Sequence, residues 1–337
     1  MIQIWVYDGI LASGVFGPVD VFTAANRIIK MNAVEARAPA RLMRWCLRSL
    51  DGGPVQTASG QTMPVDGKIG VNGPSDAVLV TAPFVSDMDS FIGNRRQVEE
   101  LSALLRRQHK AGAVLATYCT GSYLLAEAGL LDGRVATTHW AKSRDFANRY
   151  PRVELRSQEV LTEQDHIICG GAVTSFLDLA LRLVALFGGP QVAATTAKLL
   201  LIDPGRTSQS PYADLVRDHG HTDQLVAKAQ KRMEASLQQK FSLSRLAAEL
   251  AVSERTLNRR FKQATSQAPL EYLQGFRVEV AKRLLETGFT TPSSASQHVG
   301  YSDFSTFRQL FKRKVGVSPS EYQRRFANTQ RALDRSE

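Results

Sequence analysis

The spacing of apolar positions changes character partway along the chain. Over roughly the first 190 residues, short continuous apolar runs alternate with segments of helical spacing. The runs at 2–7 (IQIWVY), 77–80 (AVLV) and 113–118 (AVLATY) predict buried strands. Between the last two, residues 97–109 set Val98, Leu101, Leu104 and Leu105 on one helical face. Residues 174–187 predict another helix, and a further one starts near Pro190. Strands that alternate with amphipathic helices predict a parallel sheet covered on both faces. At 203–212 (DPGRTSQSPY) two prolines, a glycine and several hydroxyls replace any periodicity, which predicts a linker. After it the strand signals stop: 221–240, 243–250, 254–264, 270–287 and 304–315 all carry helical spacing.

This helical region repeats itself at an offset of fifty residues. Thr256, Phe261, Lys262, Pro269, Glu271, Tyr272 and Phe276 recur as Thr306, Phe311, Lys312, Pro319, Glu321, Tyr322 and Phe326. Each copy reads as a short helix, a tight turn and a basic helix, with Ser253 and Ser302 as the expected N-caps. That is helix-turn-helix grammar written twice and joined by the helix at 270–287.

Composition and charge sharpen the division. The chain has 337 residues, 43% hydrophobic and 22% charged, which fits two ordinary globular domains and excludes wholesale disorder. Three cysteines without paired spacing argue against disulfides and a cysteine metal site. The N-terminus lacks a secretory pattern, so a cytoplasmic location is expected, with no membrane partner. Net charge is +10, and its location matters more than its size. Residues 1–220 are nearly balanced at +1, whereas residues 221–337 carry +9. That distribution is expected if the helical domain docks on a polyanion, and a solvated basic surface is the other reading of the charge alone.

Within the first basic helix, Leu257 and Phe261 lie four apart and should face the core. Arg255, Asn258 and Arg259 are then base-reading candidates in a DNA major groove, because Asn pairs bidentately with adenine and Arg with guanine. Arg260 and Lys262 are expected at phosphates. In the second, Phe304, Phe307 and Phe311 predict the buried stripe, leaving Ser305, Thr306, Arg308 and Gln309 outward, with Lys312 and Arg313 for the backbone. The support helix of the second copy, PSSASQH from Pro292, has few apolar residues, so looser packing and a smaller share of specificity are expected there.

The run from FSLSRLAAELAVSERTLNRRF to VGYSDFSTFRQLFKRKVGVSPSEYQRRF resembles the AraC/XylS transcription-factor domain over about residues 225–326. The resemblance implies two helix-turn-helix units that enter successive major grooves on one face of double-stranded DNA.

In the first domain the strand at 113–118 ends on Cys119, followed by Thr120-Gly121-Ser122 and an apolar helix. A residue at a sharp strand-to-helix turn is raised above the sheet edge, where a helix N-terminus lowers a thiol pKa. His139 follows on the next predicted strand, so a nucleophile with a base and a buried, inert pair are both open readings. The stretch YCTGSYLLAEAGLLDGRVATTHW is similar to the elbow of the ThiJ/PfpI superfamily. That resemblance, covering about residues 2–189, implies a flavodoxin-like, class I glutamine amidotransferase-like sheet with Cys119 and His139 at the site.

Two departures weaken catalysis. Gly14 stands where the superfamily's enzymes commonly carry an acid, with Asp20 expected to belong to the helix that begins there. Pro83, which has no N–H, stands in the segment Thr81-Ala82-Pro83-Phe84 where a glycine pair is usual. The combined halves resemble the GlxA-type regulators. The expectation is therefore a non-enzymatic sensor and dimerisation domain at 1–202, a linker at 203–220, a DNA-binding domain at 221–327 and a tail at 328–337. A small nitrogenous effector is expected near Cys119, Thr120, His139, Trp140 and Phe84, with Tyr118 as a further aromatic face. No cofactor or metal is implied, and the chain is expected to form a homodimer. The competing reading is a cysteine-dependent amidase or hydratase with an attached DNA-binding domain.

Overall fold

The computed structural model describes residues 1–70, 75–214 and 221–327. It divides into two compact units, the first ending at Gln209 and the second beginning at Ser210.

The first unit is built on a seven-stranded sheet whose order is Leu161–Gln164, Ile167–Gly170, Val114–Tyr118, Ala77–Val80, Ile2–Trp5, Trp45–Ser49 and Gly67–Lys68. All neighbours are parallel except the first pair, a hairpin turned by Asp165 and His166, both at positive φ. The continuous apolar runs have the expected cause. Ala77–Val80 is buried along its length, with Leu79 in register between Ile4 and Ala116 at the centre of the sheet. The predicted strand at 2–7 is shorter than expected, Ile2–Trp5, and Val6 and Tyr7 continue buried above the sheet edge.

Helix Ser13–Glu35 packs against Ser175–Gly188 and Pro190–Leu199, while Arg95–Lys110 packs on Val114–Tyr118 and the short helix Ser122–Glu127. Asp20 does not open the first of these helices. It lies exposed in the interior of Ser13–Glu35.

The expected linker is shorter at its start. Arg206 donates to the Thr174 carbonyl at 3.1 Å and pairs with the half-buried Asp178 carboxylate. The Thr207 carbonyl accepts from Val160 at 3.0 Å, and the buried Gln209 amide donates to the carbonyls of Ser157 at 2.6 Å and Thr138 at 2.9 Å. Residues 206–209 thus supply donors and acceptors to the first unit, which their lack of periodicity could not reveal. Residues 215–220 of the expected linker and the tail at 328–337 lie outside the described residues.

The second unit contains helices Gln224–Ala235, Leu243–Glu249, Glu254–Thr265, Pro269–Glu286, Pro292–His298, Phe304–Val315 and Pro319–Phe326. The helix expected at 221–240 is trimmed at both ends, with Asp223 as its N-cap. Phe261 meets Tyr272 edge to face at 5.5 Å, and fifty residues on Phe311 meets Tyr322 at 5.6 Å. The sequence repeat is therefore a repeat of packing.

The long helix Pro269–Glu286 holds the two copies together. Its buried Arg277 donates to the carbonyls of Leu237 and Gln239 and stacks over the Tyr301 ring at 5.2 Å. Gly300 faces the same loop: a Cβ there would sit 2.8 Å from the Gln238 backbone, and φ is +83°. Glycine is required at that turn.

Candidate functional site

The basic face of the second unit follows from its caps and buried stripes. Ser253 accepts from the Thr256 N–H at 3.2 Å and starts Glu254–Thr265 as expected. Leu257 and Phe261 are fully buried, which turns Arg255, Arg259 and Lys262 outward, with Asn258 half-buried beside them. Arg260 departs from its expected role as a phosphate contact. It is half-buried and makes a two-pronged pair with Asp223 at 2.6 and 2.8 Å, which holds that carboxyl below its ordinary range. Arg260 therefore ties the recognition helix to Gln224–Ala235.

In the second copy the N-cap is Asp303, not Ser302. Its carboxylate accepts from the N–H groups of Ser305 at 3.0 Å and Thr306 at 2.9 Å, and the Thr306 hydroxyl first, then these N–H groups, hold its pKa below the ordinary value. The support helices start on Ser242 and Thr291, forty-nine residues apart, whereas the recognition helices start on Ser253 and Asp303, fifty apart. One extra residue lengthens the second turn. Ser305, Thr306, Arg308, Gln309, Lys312 and Arg313 are all exposed, though the Thr306 hydroxyl is engaged by Asp303. Phe304 is only partly covered, while Phe307 and Phe311 are fully buried.

The expected looseness of the second copy is also corrected. Its support helix contributes little beyond Ala295 and Ser296, but rings fill the space instead. Phe304, Phe307, Phe311, Tyr322 and Phe326 form a continuous chain with centroid separations of 6.4, 5.6, 5.6 and 4.6 Å.

In the first unit, Cys119 has the elbow backbone, with φ +55° in a conformation costly for a side-chain-bearing residue. A single 3-10 turn, Cys119–Gly121, precedes the short helix, and Gly121 is crowded by the Thr117 hydroxyl so closely that no Cβ fits. The expected acidic thiol is not found. Burial outweighs the bonds from Thr120 and the field of Lys142 and pushes the Cys119 pKa up to about 11.

The missing acid has a steric cause. Any side chain at position 14 would collide with the Tyr118 hydroxyl, so Tyr118 occupies the space that an acidic residue would need. Tyr7 and Tyr118 lie beside the sulfur, and burial raises both phenols well above their ordinary range.

Thr120 and His139 are brought to the elbow with their polar atoms engaged. The Thr120 hydroxyl donates to the Pro83 carbonyl at 2.6 Å. Thr138 donates to the Cys119 carbonyl at 3.2 Å, which places His139 next to the elbow. His139 Nδ1 accepts from the Ala141 N–H at 3.1 Å, so in the neutral ring Nε2 carries the proton. The His139 and Trp140 rings lie 5.2 Å apart, and Phe84 is exposed in the loop after Pro83.

Sequence reasoning overlooked Lys142, three residues after His139, whose ammonium donates to the Ser86 carbonyl at 2.9 Å. Nothing in the spacing marks it, because its partner is a backbone carbonyl 56 residues away. Among the described residues no group of His, Cys, Asp and Glu is arranged to hold a metal ion.

A helix-turn-helix domain model matches residues 246–325, and the DJ-1/PfpI family model matches residues 2–186, more than half the chain. The chain belongs to the DJ-1/PfpI family. The HTH-type transcriptional regulator CdhR of Pseudomonas aeruginosa is 29% identical over 86% of this chain and 84% of its own length. The regulator GbdR of the same species is 25% identical over 93% and 83%. GlxA of Rhizobium meliloti is 26% identical over 66% and 67%. A solved structure from Vibrio parahaemolyticus aligns with a TM-score of 0.51 at 13% identity, over 59% of this chain and 97% of that one, and supports the sheet architecture alone. No helix among the described residues is long and apolar enough to cross a membrane.

Proposed function

We propose that this DJ-1/PfpI family member is a transcriptional regulator of the AraC/GlxA type that binds double-stranded DNA through two helix-turn-helix units. The observation that carries the reading is the doubled, basic recognition surface. Arg255, Arg259 and Lys262 in one copy and Arg308, Gln309, Lys312 and Arg313 in the other are exposed on helices whose opposite faces are locked by Phe261 and Phe311. The two copies share one long helix and the Arg277 rivet, so their recognition helices are presented as a fixed pair.

In this reading the first unit senses a small nitrogenous metabolite near Cys119, Thr120, His139, Trp140 and Phe84, mediates homodimerisation and performs no catalysis. The protein acts in the cytoplasm. Three observations favour a sensor over an amidase or hydratase: the thiol pushed up to about 11, the engaged Nδ1 of His139, and Tyr118 in the place of an acid. A ligand regulates only if it binds two arrangements of the protein with different affinity.

The test is selection of duplexes from a random pool by the full-length protein, followed by footprinting. Enrichment of a motif with two protected stretches about one helical turn apart is expected. Failure to enrich any motif would overturn the regulator reading. For the sensor half, alkylation of Cys119 should climb steadily with pH through the alkaline range. A rate that levels off below neutral pH would mean a catalytic-type thiolate.

A further inference from the structure

The four residues after Gln209 are fastened to the second copy of the repeat. Ser210–Tyr212 forms a single 3-10 turn with Pro211 buried, and the Ala213 N–H closes it on the Ser210 carbonyl at 3.2 Å. The turn packs against the second recognition helix, Phe304–Val315, and the Tyr212 ring meets Phe326 edge to face at 5.2 Å. Beside it the Ala213 carbonyl accepts from the Lys282 ammonium at 2.6 Å. Lys282 is buried, pairs with the buried Glu279 carboxylate at 2.8 Å and lies 5.7 Å from the centre of the Tyr322 ring. A buried ammonium needs its N–H groups satisfied, so the Ala213 carbonyl helps to make this ion pair tolerable. Lys282 stands in the half of Pro269–Glu286 that carries Val278, Ala281 and Leu285 into the second core, whereas Tyr272 and Leu273 serve the first.

Resting on the regulator reading, we propose that Ser210–Ala213 is a clasp through which the first unit governs the second helix-turn-helix copy, with Lys282 as the positioning residue that keeps it seated. Chain order and contact order differ here. The chain enters the first copy afterwards, at Gln224–Ala235, yet Lys282, Phe326 and Phe304–Val315 all belong to the second. Gln209, the residue before the clasp, is the last one of the first unit. Its amide donates to the Thr138 carbonyl at 2.9 Å, and the Thr138 hydroxyl donates to the Cys119 carbonyl at 3.2 Å. A change at the elbow that moves Gln209 therefore pulls on Ser210 through one peptide bond. The clasp is the element with two states, seated and released. Seated, it braces the second recognition helix; released, it takes the Ala213 carbonyl from Lys282 and the Tyr212 ring from Phe326, and that helix is presented less precisely. The first copy keeps its own core and its Arg260–Asp223 tie in either state.

The experiment uses the full-length protein and reads the clasp in two ways. Hydrogen exchange with mass spectrometry reports how well residues 210–213 are protected. Binding to the selected duplex, and to versions substituted under one copy or the other, gives discrimination at each half-site, the half-sites being assigned with Arg259→Ala and Arg308→Ala. Two variants release the clasp from the second copy by different routes. Tyr212→Ala removes the half-exposed ring, and Glu279→Gln with Lys282→Met removes both buried charges together, so that no lone charge is left inside. Gln209→Ala loosens the attachment in the first unit without touching the second.

Each of the three should speed exchange at 210–213 while Phe304–Val315 stays protected, and should lower discrimination at the second half-site by about five-fold or more with the first unchanged. Combining Tyr212→Ala with the charge-removing pair should add little, because both undo the same clasp. A merely structural loss would instead lower both half-sites together. Equal losses at the two half-sites, unchanged discrimination at the second, a silent Gln209→Ala, or exchange at the free-chain rate in the wild type would each overturn the proposal. Failure of the regulator reading is distinguishable, since a wild type that selects no motif while 210–213 stays protected, and is released by all three variants, upholds the clasp and counts against DNA recognition alone.

Discussion

The two helix-turn-helix copies solve one packing problem with different chemistry. The first packs its recognition helix on aliphatic side chains and one aromatic pair, and ties it to a neighbouring helix through the ion pair of Arg260 and Asp223. The second has a small, polar support helix and fills the deficit with a chain of five rings. What the copies share is the outcome: a capped helix, a locked aromatic at Phe261 or Phe311, and a row of exposed basic and amide groups. The outward surface is preserved while the interior is free to vary, provided that volume is filled.

The comparison breaks most visibly at its shared aromatic positions. Phe261→Ala and Phe311→Ala should each destabilise the second unit by about 3–5 kcal/mol in denaturant unfolding, because a fully buried ring leaves a cavity. If Phe311→Ala proved much milder, the ring chain would be able to collapse around the gap, and the second copy would be the looser one after all.

A smaller effect is expected at the DNA surface. With both recognition helices equally well seated, Arg259→Ala and Arg308→Ala should each weaken binding to the selected duplex by about 1–3 kcal/mol and relax preference at separate base positions. A loss confined to Arg259→Ala would return specificity to the first copy.

Arg260 and Lys262 sharpen the contrast between internal and external charge. Lys262→Ala should reduce the salt dependence of DNA binding by about one unit of slope. Arg260→Ala should leave that slope unchanged and lower thermal stability instead. The pair also predicts a direction with pH. The Asp223 carboxyl is held below its unfolded value, so its contribution is fully present above the ordinary carboxylate range and is lost as pH falls through the depressed value. In acid, the difference in melting temperature between wild type and Arg260→Ala should therefore vanish. A difference that persisted there would mean that Arg260 acts by packing.

The smallest effect separates neighbours in sequence. Asp303→Ala should lower the melting temperature while Ser302→Ala leaves it nearly unchanged, since only Asp303 satisfies the first amides of its helix.

Where side-chain type and period suffice, the sequence was legible. The parallel sheet, the buried strands and the outward faces of both recognition helices follow from apolar spacing. The Ser302 assignment failed because a hydroxyl is a good cap in isolation, yet the fifty-residue offset itself carries Ser253 onto Asp303 and would have located the cap. Arg260 could not be distinguished from Lys262 by composition, because its partner Asp223 lies 37 residues earlier. At the elbow the strand-to-helix turn was visible, but the thiol pKa was not. It depends on how deeply Cys119 is buried, and burial at the end of a strand is a property of the assembled sheet. The polar residues 206–209 were hidden for the opposite reason, since they serve as hydrogen-bond donors and acceptors for the first unit rather than as a core.

The measurement that bears most directly on the central claim is equilibrium binding of the full-length protein to its selected duplex across a range of salt concentrations, with Arg259→Ala and Arg308→Ala alongside. Two working recognition helices predict steep salt dependence in all three proteins and a loss of sequence preference in both variants at different bases. Affinity insensitive to salt, or variants indistinguishable from wild type in both affinity and preference, would contradict it.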